Sequence, residues 1–348
     1  MKLYGGIDLH STNNYIVLLD ESGQKIYDER LPNELEYILQ KLNPYRDKIV
    51  SIAIESTYNW YWLVDGLQSH GYSICLANPA AIQQYNGIKH TGDKSDACFL
   101  AELLRLDILP QGYIYPKETR GIRDLLRKRS RLVHHKTAHL LSIQTTIERN
   151  TGIRVTSNNI KKLTEEDLKK HMNDENILCA LSSDLASMNC LSKQIDLIEK
   201  KVIKQVRVKS EYKRLLEVSG IGKILTLTIM LETGNIERFS QVGNYSSYCR
   251  CVNSKRISNG KKKGTNNGKN GNKYLSWAYI EAAHFAIRFS PIIKRYYQRK
   301  MQKTSAVVAI KTVAHKLARA CYYILRDDVP FDEARCFGWN NVTTKGVG

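Results

Sequence analysis

The chain opens on Leu3-Tyr4-Gly5-Gly6-Ile7-Asp8, an apolar run of strand character that ends on an acid. Four more runs of strand character follow, at residues 15–19, 25–30, 49–54 and 72–76. Asp20-Glu21-Ser22-Gly23 is typical of a turn, and helical periodicity covers residues 34–42 and 60–69. Three strands, then alternating helices and strands, with an acid on the first strand, is the element order of an RNase H-like fold. The sequence therefore predicts an α/β domain over residues 1–115.

Four carboxylates of this domain lie where ligands are usually held. Asp8 ends the first predicted strand and Glu55 follows the fourth, and α/β sheets bind ligands at strand ends. Asp93 and Asp96 are three residues apart before a helix-like run, which places both on one face of the helix's first turn. Four oxygen ligands suit Mg²⁺ or Mn²⁺, and a pair of such ions suits phosphodiester cleavage. The alternative is that each acid is a helix cap or a solvated loop residue.

The composition indicates a polyanionic partner. The 348 residues carry a formal net charge of +19, and such an excess attracts phosphate backbones and releases their counterions. A membrane surface is the alternative, but no stretch approaches the length of a transmembrane helix and the N-terminus lacks a signal-peptide pattern. We therefore predict a cytoplasmic, nucleoid-associated protein with no membrane partner. The eight cysteines are scattered, which favours reduced thiols over a zinc site.

Residues 116–210 are predicted to form a helical, coiled-coil region between two domains. Its first helix, residues 120–149, has basic residues that we predict to contact nucleic acid, the alternative being a solvated face. They are Arg123, Arg127, Lys128, Arg129, Arg131 and Lys136. The second helix, residues 174–208, has apolar residues at spacings of three and four. This seam predicts either an oligomerisation element or a helix pair within the chain.

A second, mainly helical domain is predicted over residues 211–330, followed by a tail at residues 331–348. Gly220 and Gly222 precede an apolar helix. This pattern is typical of a helix–hairpin–helix motif, whose backbone amides bind a phosphate. The alternative is a plain Gly-x-Gly turn between two core helices.

A basic, glycine-rich stretch at residues 253–273 lies within this domain and has no hydrophobic period. It predicts a flexible loop that closes on phosphates. The predicted contacts are Lys255, Arg256, Lys261, Lys262, Lys263, Lys269 and Lys273. A nucleotide-binding P-loop is excluded, because the glycine spacing before Lys269 is wrong and Asn270 stands where Ser or Thr is required.

Several segments of the chain resemble the DEDD transposases of the insertion-sequence-110 family, to which Piv-type DNA invertases are related. The resemblance covers nearly the whole chain in the family's order. The N-terminal segments that carry it are Gly6-Ile7-Asp8-Leu9-His10-Ser11, Ile54-Glu55-Ser56-Thr57-Tyr58-Asn59-Trp60, Ala77-Asn78-Pro79 and Asp93-Lys94-Ser95-Asp96-Ala97. The family usually has Thr-Asp-x-x-Asp-Ala at the paired acids, whereas Gly92 separates Thr91 from the first acid, Asp93, here.

The resemblance also implies a nucleophile in the second domain. The family has a serine before a glycine, then a basic stretch, then Gly-Asn and a helix. Gly271-Asn272 precedes a helix-like run here, and counting back from it without a gap aligns Ser258 with the family's serine. The family's adjacent Ser-Gly is replaced by Ser258-Asn259-Gly260, with one residue between serine and glycine. Ser254 is the alternative.

From the resemblance we expect a transposase or site-specific recombinase with a RuvC-like form of the RNase H fold. Asp8, Glu55, Asp93 and Asp96 would bind Mg²⁺, and Ser258 would attack a DNA phosphate to form a transient phosphoserine link. The resemblance further implies a site shared between protomers of a homodimer or homotetramer. It also implies double-stranded DNA substrates at element ends and target, and guidance by a structured bridge RNA. The alternatives are a RuvC-like Holliday-junction nuclease without serine chemistry and a non-catalytic DNA-binding protein.

Overall fold

The computed structural model describes residues 1–82, 92–206, 210–252, 256–264 and 270–338. The chain forms two compact units. One, the sheet unit, comprises residues 1–117 and 254–270, and the other, the helical unit, comprises residues 118–253 and 271–348. The predicted domain borders stay predictions.

The sheet unit contains a five-stranded mixed sheet in the order β3-β2-β1-β4-β5. Its strands are β1 (Leu3–Leu9), β2 (Asn13–Leu19), β3 (Lys25–Pro32), β4 (Ile49–Glu55) and β5 (Ile74–Ala77). The first three are antiparallel neighbours, whereas β4 lies parallel to β1 and β5 parallel to β4. The predicted strands and their alternation with helices are confirmed, and the layout is compatible with an RNase H-like fold.

Helices cover both faces of this sheet. They are α1 (Leu35–Leu42), α2 (Tyr61–Ser69) and α3 (Asp93–Arg105). On one face, Ile38 and Leu63 join a core with Ile7 and Ile16. On the other face, α3 packs through alanines against Val17. Helices on both faces leave the strand ends as the natural place for a ligand.

A short hairpin in the basic stretch belongs to the sheet unit. Strands β6 (Arg256–Ser258) and β7 (Lys261–Gly264) pair antiparallel. The connecting residues Asn259 and Gly260 have φ of 50° and 70°, as a type I′ turn requires, and Asn-Gly is the preferred sequence for this turn. Residues 256–264 of the stretch predicted to be a flexible loop therefore form a paired hairpin.

The helical unit begins with a long antiparallel helix pair, α4 (Lys117–Thr151) and α7 (Glu175–Val206), with α5 (Ser157–Ile160) and α6 (Glu165–His171) between them. Leu181, Leu185 and Met188 pack on the C-terminal half of α4, and Ile195, Ile198 and Val202 pack on its N-terminal half. The apolar seam of α7 therefore packs against α4 of the same chain, as predicted by the alternative of an intramolecular helix pair.

Seven more helices complete the described part of this unit: α8 (Ser210–Leu216), α9 (Lys223–Thr233), α10 (Val242–Tyr248), α11 (Lys273–Phe289), α12 (Pro291–Met301), α13 (Ala306–Asp327) and α14 (Glu333–Phe337). Helix α14 lies in the predicted tail, and its Phe337 is buried in the core. The prediction of a tail was therefore wrong for residues 333–337, and residues 339–348 lie outside the described residues. No helix in the described ranges is long and apolar enough to span a membrane.

Candidate active site

Strand geometry brings the first two predicted acids to one edge of the sheet. Ile7 of β1 pairs with Ile54 of the parallel strand β4. Asp8 and Glu55 follow these two residues directly, and the carboxyl ends of parallel strands meet at the same edge. Asp8 is buried, with 5% of its surface exposed, and Glu55 is half-buried.

The other two acids reach this edge because α3 lies directly on β1. Asp93 and Asp96 are in the first turn of α3, and both are half-buried. At Gly6 a Cβ atom would lie 2.0 Å from the carbonyl oxygen of Ala97 and 2.6 Å from the nitrogen of Ala101. Only glycine permits this approach, so Gly6 sets the distance between the strand that carries Asp8 and the helix that carries the paired acids.

Gly6→Ala is therefore expected to destabilise the sheet unit by at least about 2 kcal/mol and to weaken divalent-metal binding, because α3 must move off β1. Thermal unfolding and metal titration of the full chain measure the two effects. Gly92→Ala is the matched control, since a Cβ atom there meets nothing within 4 Å. Equal behaviour of the two variants would contradict this explanation of Gly6.

The closest group of possible metal ligands contains a histidine that was not predicted. Within the described residues, one ligand atom from each of Asp8, His10 and Asp93 lies within 4.8 Å of the other two. The His10 Nδ1 atom is 3.5 Å from Asp8 Oδ2, and its Nε2 atom is 3.7 Å from Asp93 Oδ1. Arg30 Nη2 also contacts Asp93 Oδ2 at 2.5 Å. Glu55 and Asp96 are not in this closest group.

Electrostatics nevertheless links all four acids. The pKa of Asp8 is raised to about 6, chiefly by burial. The charge of His10 lowers this pKa, whereas the charges of Glu55, Asp96 and Asp93 raise it. Burial and the charge of Asp93 raise the pKa of Asp96, and His10 again opposes the shift. A cation among these acids would relieve both burial and repulsion, and oxygen donors suit Mg²⁺ or Mn²⁺. The residues present therefore fit a divalent metal.

Sequence reasoning missed His10 and Arg30. The signal for His10 was its position two residues after Asp8, since alternate residues of an extended segment lie on the same side. Arg30 had no such signal, because its contact with Asp93 joins residues 63 positions apart.

The predicted serine is exposed at the end of β6, beside the type I′ turn and opposite Lys261 of β7. Lys261, Lys263 and Lys273 are also exposed. Ser254, Lys255 and Lys269, and the side chains of Arg256 and Lys262, lie outside the described residues.

Three of the arginines predicted to bind nucleic acid are used inside the helical unit, and one of them, Arg129, pairs with Glu199 at 2.7 Å. Arg123 has 4% of its surface exposed. Arg127 forms a two-pronged ion pair with buried Glu232, with N–O distances of 2.5 and 2.7 Å, and lies over the Tyr274 ring. The prediction of an exposed basic face was therefore wrong for Arg123, while Lys128 and Arg131 are exposed.

The two glycines of the predicted helix–hairpin–helix differ in their surroundings. Gly220 has φ of +88°, and a Cβ atom there would lie 2.3 Å from the carbonyl oxygen of Ala282 in α11. Core packing therefore accounts for Gly220. Gly222 is exposed at the N-cap of α9 and has open space around it, so its amide end is accessible to an anion.

Glu232 also holds the start of the helix that follows the basic stretch. Asn272 Nδ2 donates to Glu232 Oε2 at 2.7 Å, while Asn272 Oδ1 accepts from the backbone of Tyr274 and Leu275 and so caps α11. Glu232 has 2% of its surface exposed. One buried carboxylate thus connects α4, α9 and α11.

Glu232→Ala is expected to destabilise the helical unit by about 3 kcal/mol, because it removes the carboxylate that pairs with Arg127 and accepts the shorter hydrogen bond of the Asn272 amide. Denaturant unfolding of the full chain measures this loss. Glu237→Ala, at an exposed position close in sequence, should change stability by less than about 0.5 kcal/mol. A loss at Glu232 no larger than that at Glu237 would contradict the structural role of the buried pair.

Two family models match the chain. The model for DEDD transposases of the IS110 type, described as Transposase, matches residues 5–149. The model described as Transposase IS116/IS110/IS902 family matches residues 212–298. The first match contains the four predicted acids and the second contains Ser258. No curated protein matches the chain at a significant level.

Proposed function

The chain belongs to the IS110 family of DEDD transposases and is a DNA transposase or recombinase, and from this premise we propose that it cuts and rejoins DNA with metal-binding acids and a serine nucleophile. The observation that carries this proposal is the convergence of Asp8 and Asp93 at one sheet edge, with Glu55 and Asp96 close enough to shift the pKa of Asp8. In this proposal the sheet unit is a RuvC-like catalytic domain.

Asp8, Glu55, Asp93 and Asp96 would hold Mg²⁺, or Mn²⁺ in its place. The bound ion would supply Lewis-acid stabilisation of the charge that develops on the DNA phosphate. The acids fix its position, because Asp8 and Glu55 stand on adjacent parallel strands and the other two stand on a helix packed against β1. Arg30 neutralises part of the charge of Asp93 and so reduces repulsion within the group.

Ser258 would be the nucleophile. Its Oγ atom would lose its proton and form a bond to phosphorus while the bond to the leaving strand's oxygen breaks, and that oxygen would take up a proton. The tight turn beside Ser258 supports this role, since Ser258 is exposed next to it. The exposed Lys261 and Lys263 are cations that can approach the phosphate. Ser254 stays the alternative nucleophile.

The partners in this proposal are double-stranded DNA at element ends and target, a structured bridge RNA, and further copies of the chain in a homodimer or homotetramer. The net charge of +19 supports polyanionic partners. Exposed Lys128 and Arg131 on α4, and the accessible amide end at Gly222, are the groups that we assign to phosphate contact.

Removal of divalent metal tests the proposal. Purified protein with element-end DNA, target DNA and the element's RNA should exchange strands in Mg²⁺ and lose this activity by a factor of roughly 10³ or more in excess chelator. Added Mg²⁺ or Mn²⁺ should restore it. DNA binding measured in the same chelated samples is the control and should persist. Full exchange after complete metal removal would contradict the role of the acids.

A further inference from the structure

The imidazole of His10 occupies a position that suits a metal ligand better than a hydrogen-bonding partner. Its contacts of 3.5 Å to Asp8 and 3.7 Å to Asp93 are longer than ordinary hydrogen bonds. Ligand atoms that share one ion at about 2.0–2.2 Å lie roughly 3–4.4 Å from one another. The two contacts involve different ring nitrogens, of which one ion would take one; with one atom taken from each residue, the ligand atoms of His10, Asp8 and Asp93 lie within 4.8 Å of one another.

The backbone of His10 is held in place from two sides. Its carbonyl oxygen accepts hydrogen bonds from Asn33 Nδ2 and from Asn59 Nδ2, each at 2.9 Å, and its N–H donates to the Asn13 carbonyl at 2.9 Å. These two asparagines come from separate loops, after β3 and after β4.

The two asparagines are oriented in turn. Asn33 Oδ1 accepts from fully buried Asn14, and Asn59 Oδ1 accepts from Thr57 Oγ1. Outer residues that fix the orientation of a ligand are a regular feature of metal sites. Because both asparagines bind the backbone carbonyl of His10, they fix the point from which its imidazole extends towards Asp8 and Asp93.

We infer that His10 is a nitrogen ligand of the metal centre and gives the centre a preference for Mn²⁺ over Mg²⁺. The inference rests on the proposed function, since it adds a ligand to the same site. Mg²⁺ takes almost exclusively oxygen ligands, whereas imidazole suits transition metals. Asn33 and Asn59 are positioning residues for this ligand.

The competing role for His10 is that of a counter-cation, which would neutralise the acids together with Arg30 and would not touch the ion. The two roles predict opposite effects of His10→Gln. Removing a ligand weakens Mn²⁺ binding selectively, whereas removing a competing cation strengthens the binding of Mn²⁺ and Mg²⁺ alike.

Electron paramagnetic resonance of Mn²⁺ on the full-length protein tests the inference. The wild type should show electron spin echo modulation from a directly bound ¹⁴N nucleus. In His10→Gln this modulation should vanish, Mn²⁺ affinity should fall about tenfold, and Mg²⁺ affinity, from competition, should change less than about threefold. His70→Gln removes another imidazole of the sheet unit and should leave all three readouts unchanged. Asn59→Ala should give a smaller loss of Mn²⁺ affinity.

Two results would overturn the inference while leaving the proposed metal centre intact. One is Mn²⁺ binding by the wild type that requires Asp8 but shows no ¹⁴N modulation. The other is a rise in affinity for both ions in His10→Gln. By contrast, undiminished Mn²⁺ binding by Asp8→Asn would show that the proposed centre itself is wrong.

Discussion

Ser258→Ala is expected to leave no protein covalently attached to DNA and to lower strand exchange by roughly 10³-fold or more, because no other group replaces a lost nucleophile efficiently. DNA binding should stay close to that of the wild type, since Ser258 is exposed and its replacement removes one hydroxyl from a hairpin whose turn is formed by Asn259 and Gly260. Denaturing gels of reactions with element-end DNA, target DNA, Mg²⁺ and the element's RNA measure the adduct and the exchange together.

Ser254→Ala is the matched control, because Ser254 is the alternative nucleophile in the same basic stretch. Loss of the adduct in Ser254→Ala alone would move the nucleophile to that residue. Continued cutting by both variants would contradict serine chemistry and favour the nuclease that needs only the acids and water.

Local sequence patterns predicted the scaffold of the site well. The strands β1 to β5 and the long helices α4 and α7 were predicted to within a few residues, because alternation and heptad-like spacing report burial directly. The acids Asp8 and Asp93 could be placed together because each stands at the end of an element whose direction is fixed by the fold. Membership in the transposase family was likewise predicted correctly from short motifs.

The errors arose where the outcome depends on a distant partner or on a turn. Arg123 and Arg127 had the spacing of exposed residues on α4. Arg123 is nevertheless buried, and Arg127 pairs with Glu232, which lies 105 residues away in the chain. Local spacing cannot report such tertiary contacts. The hairpin at residues 256–264 was missed because its strands are short and lack hydrophobic alternation. Its Asn-Gly turn was the available signal.

Asp8→Asn is expected to abolish strand exchange and yet to stabilise the metal-free protein. Activity should fall by roughly 10³-fold or more, because the most buried acid of the proposed centre loses its charge. Stability should rise by about 2 kcal/mol near neutral pH. The pKa of Asp8 is raised to about 6, mainly by burial, so the ionised form is less favourable in the folded protein than in the unfolded chain. Asparagine removes this cost.

The pH dependence follows from the same shift. Below about pH 4, Asp8 is protonated in both states, so its ionisation costs the folded wild type nothing. Between about pH 4 and 6 the unfolded chain loses the proton first, and the disadvantage of the wild type relative to Asp8→Asn therefore grows until it is complete above pH 6. Saturating Mg²⁺ should make the wild type more stable than Asp8→Asn, because the ion stabilises only a protein that binds it. The gain is about 2.7 kcal/mol when Mg²⁺ is in hundredfold excess over Kd.

Thermal unfolding of both proteins from pH 4 to 8, with and without Mg²⁺, measures these effects. Asp20→Asn is the control with the opposite expected sign. Hydrogen bonds in its turn, chiefly from Ser22, lower the pKa of Asp20. Replacing this carboxylate should therefore destabilise the protein at neutral pH. A metal-free Asp8→Asn protein that unfolds at or below the wild-type temperature at pH 7 would contradict the electrostatic account. If it also kept wild-type exchange, the four acids would not form the catalytic centre. A stabilised, inactive variant would instead show that the acid whose burial and repulsion weaken the metal-free fold is the one that activity requires.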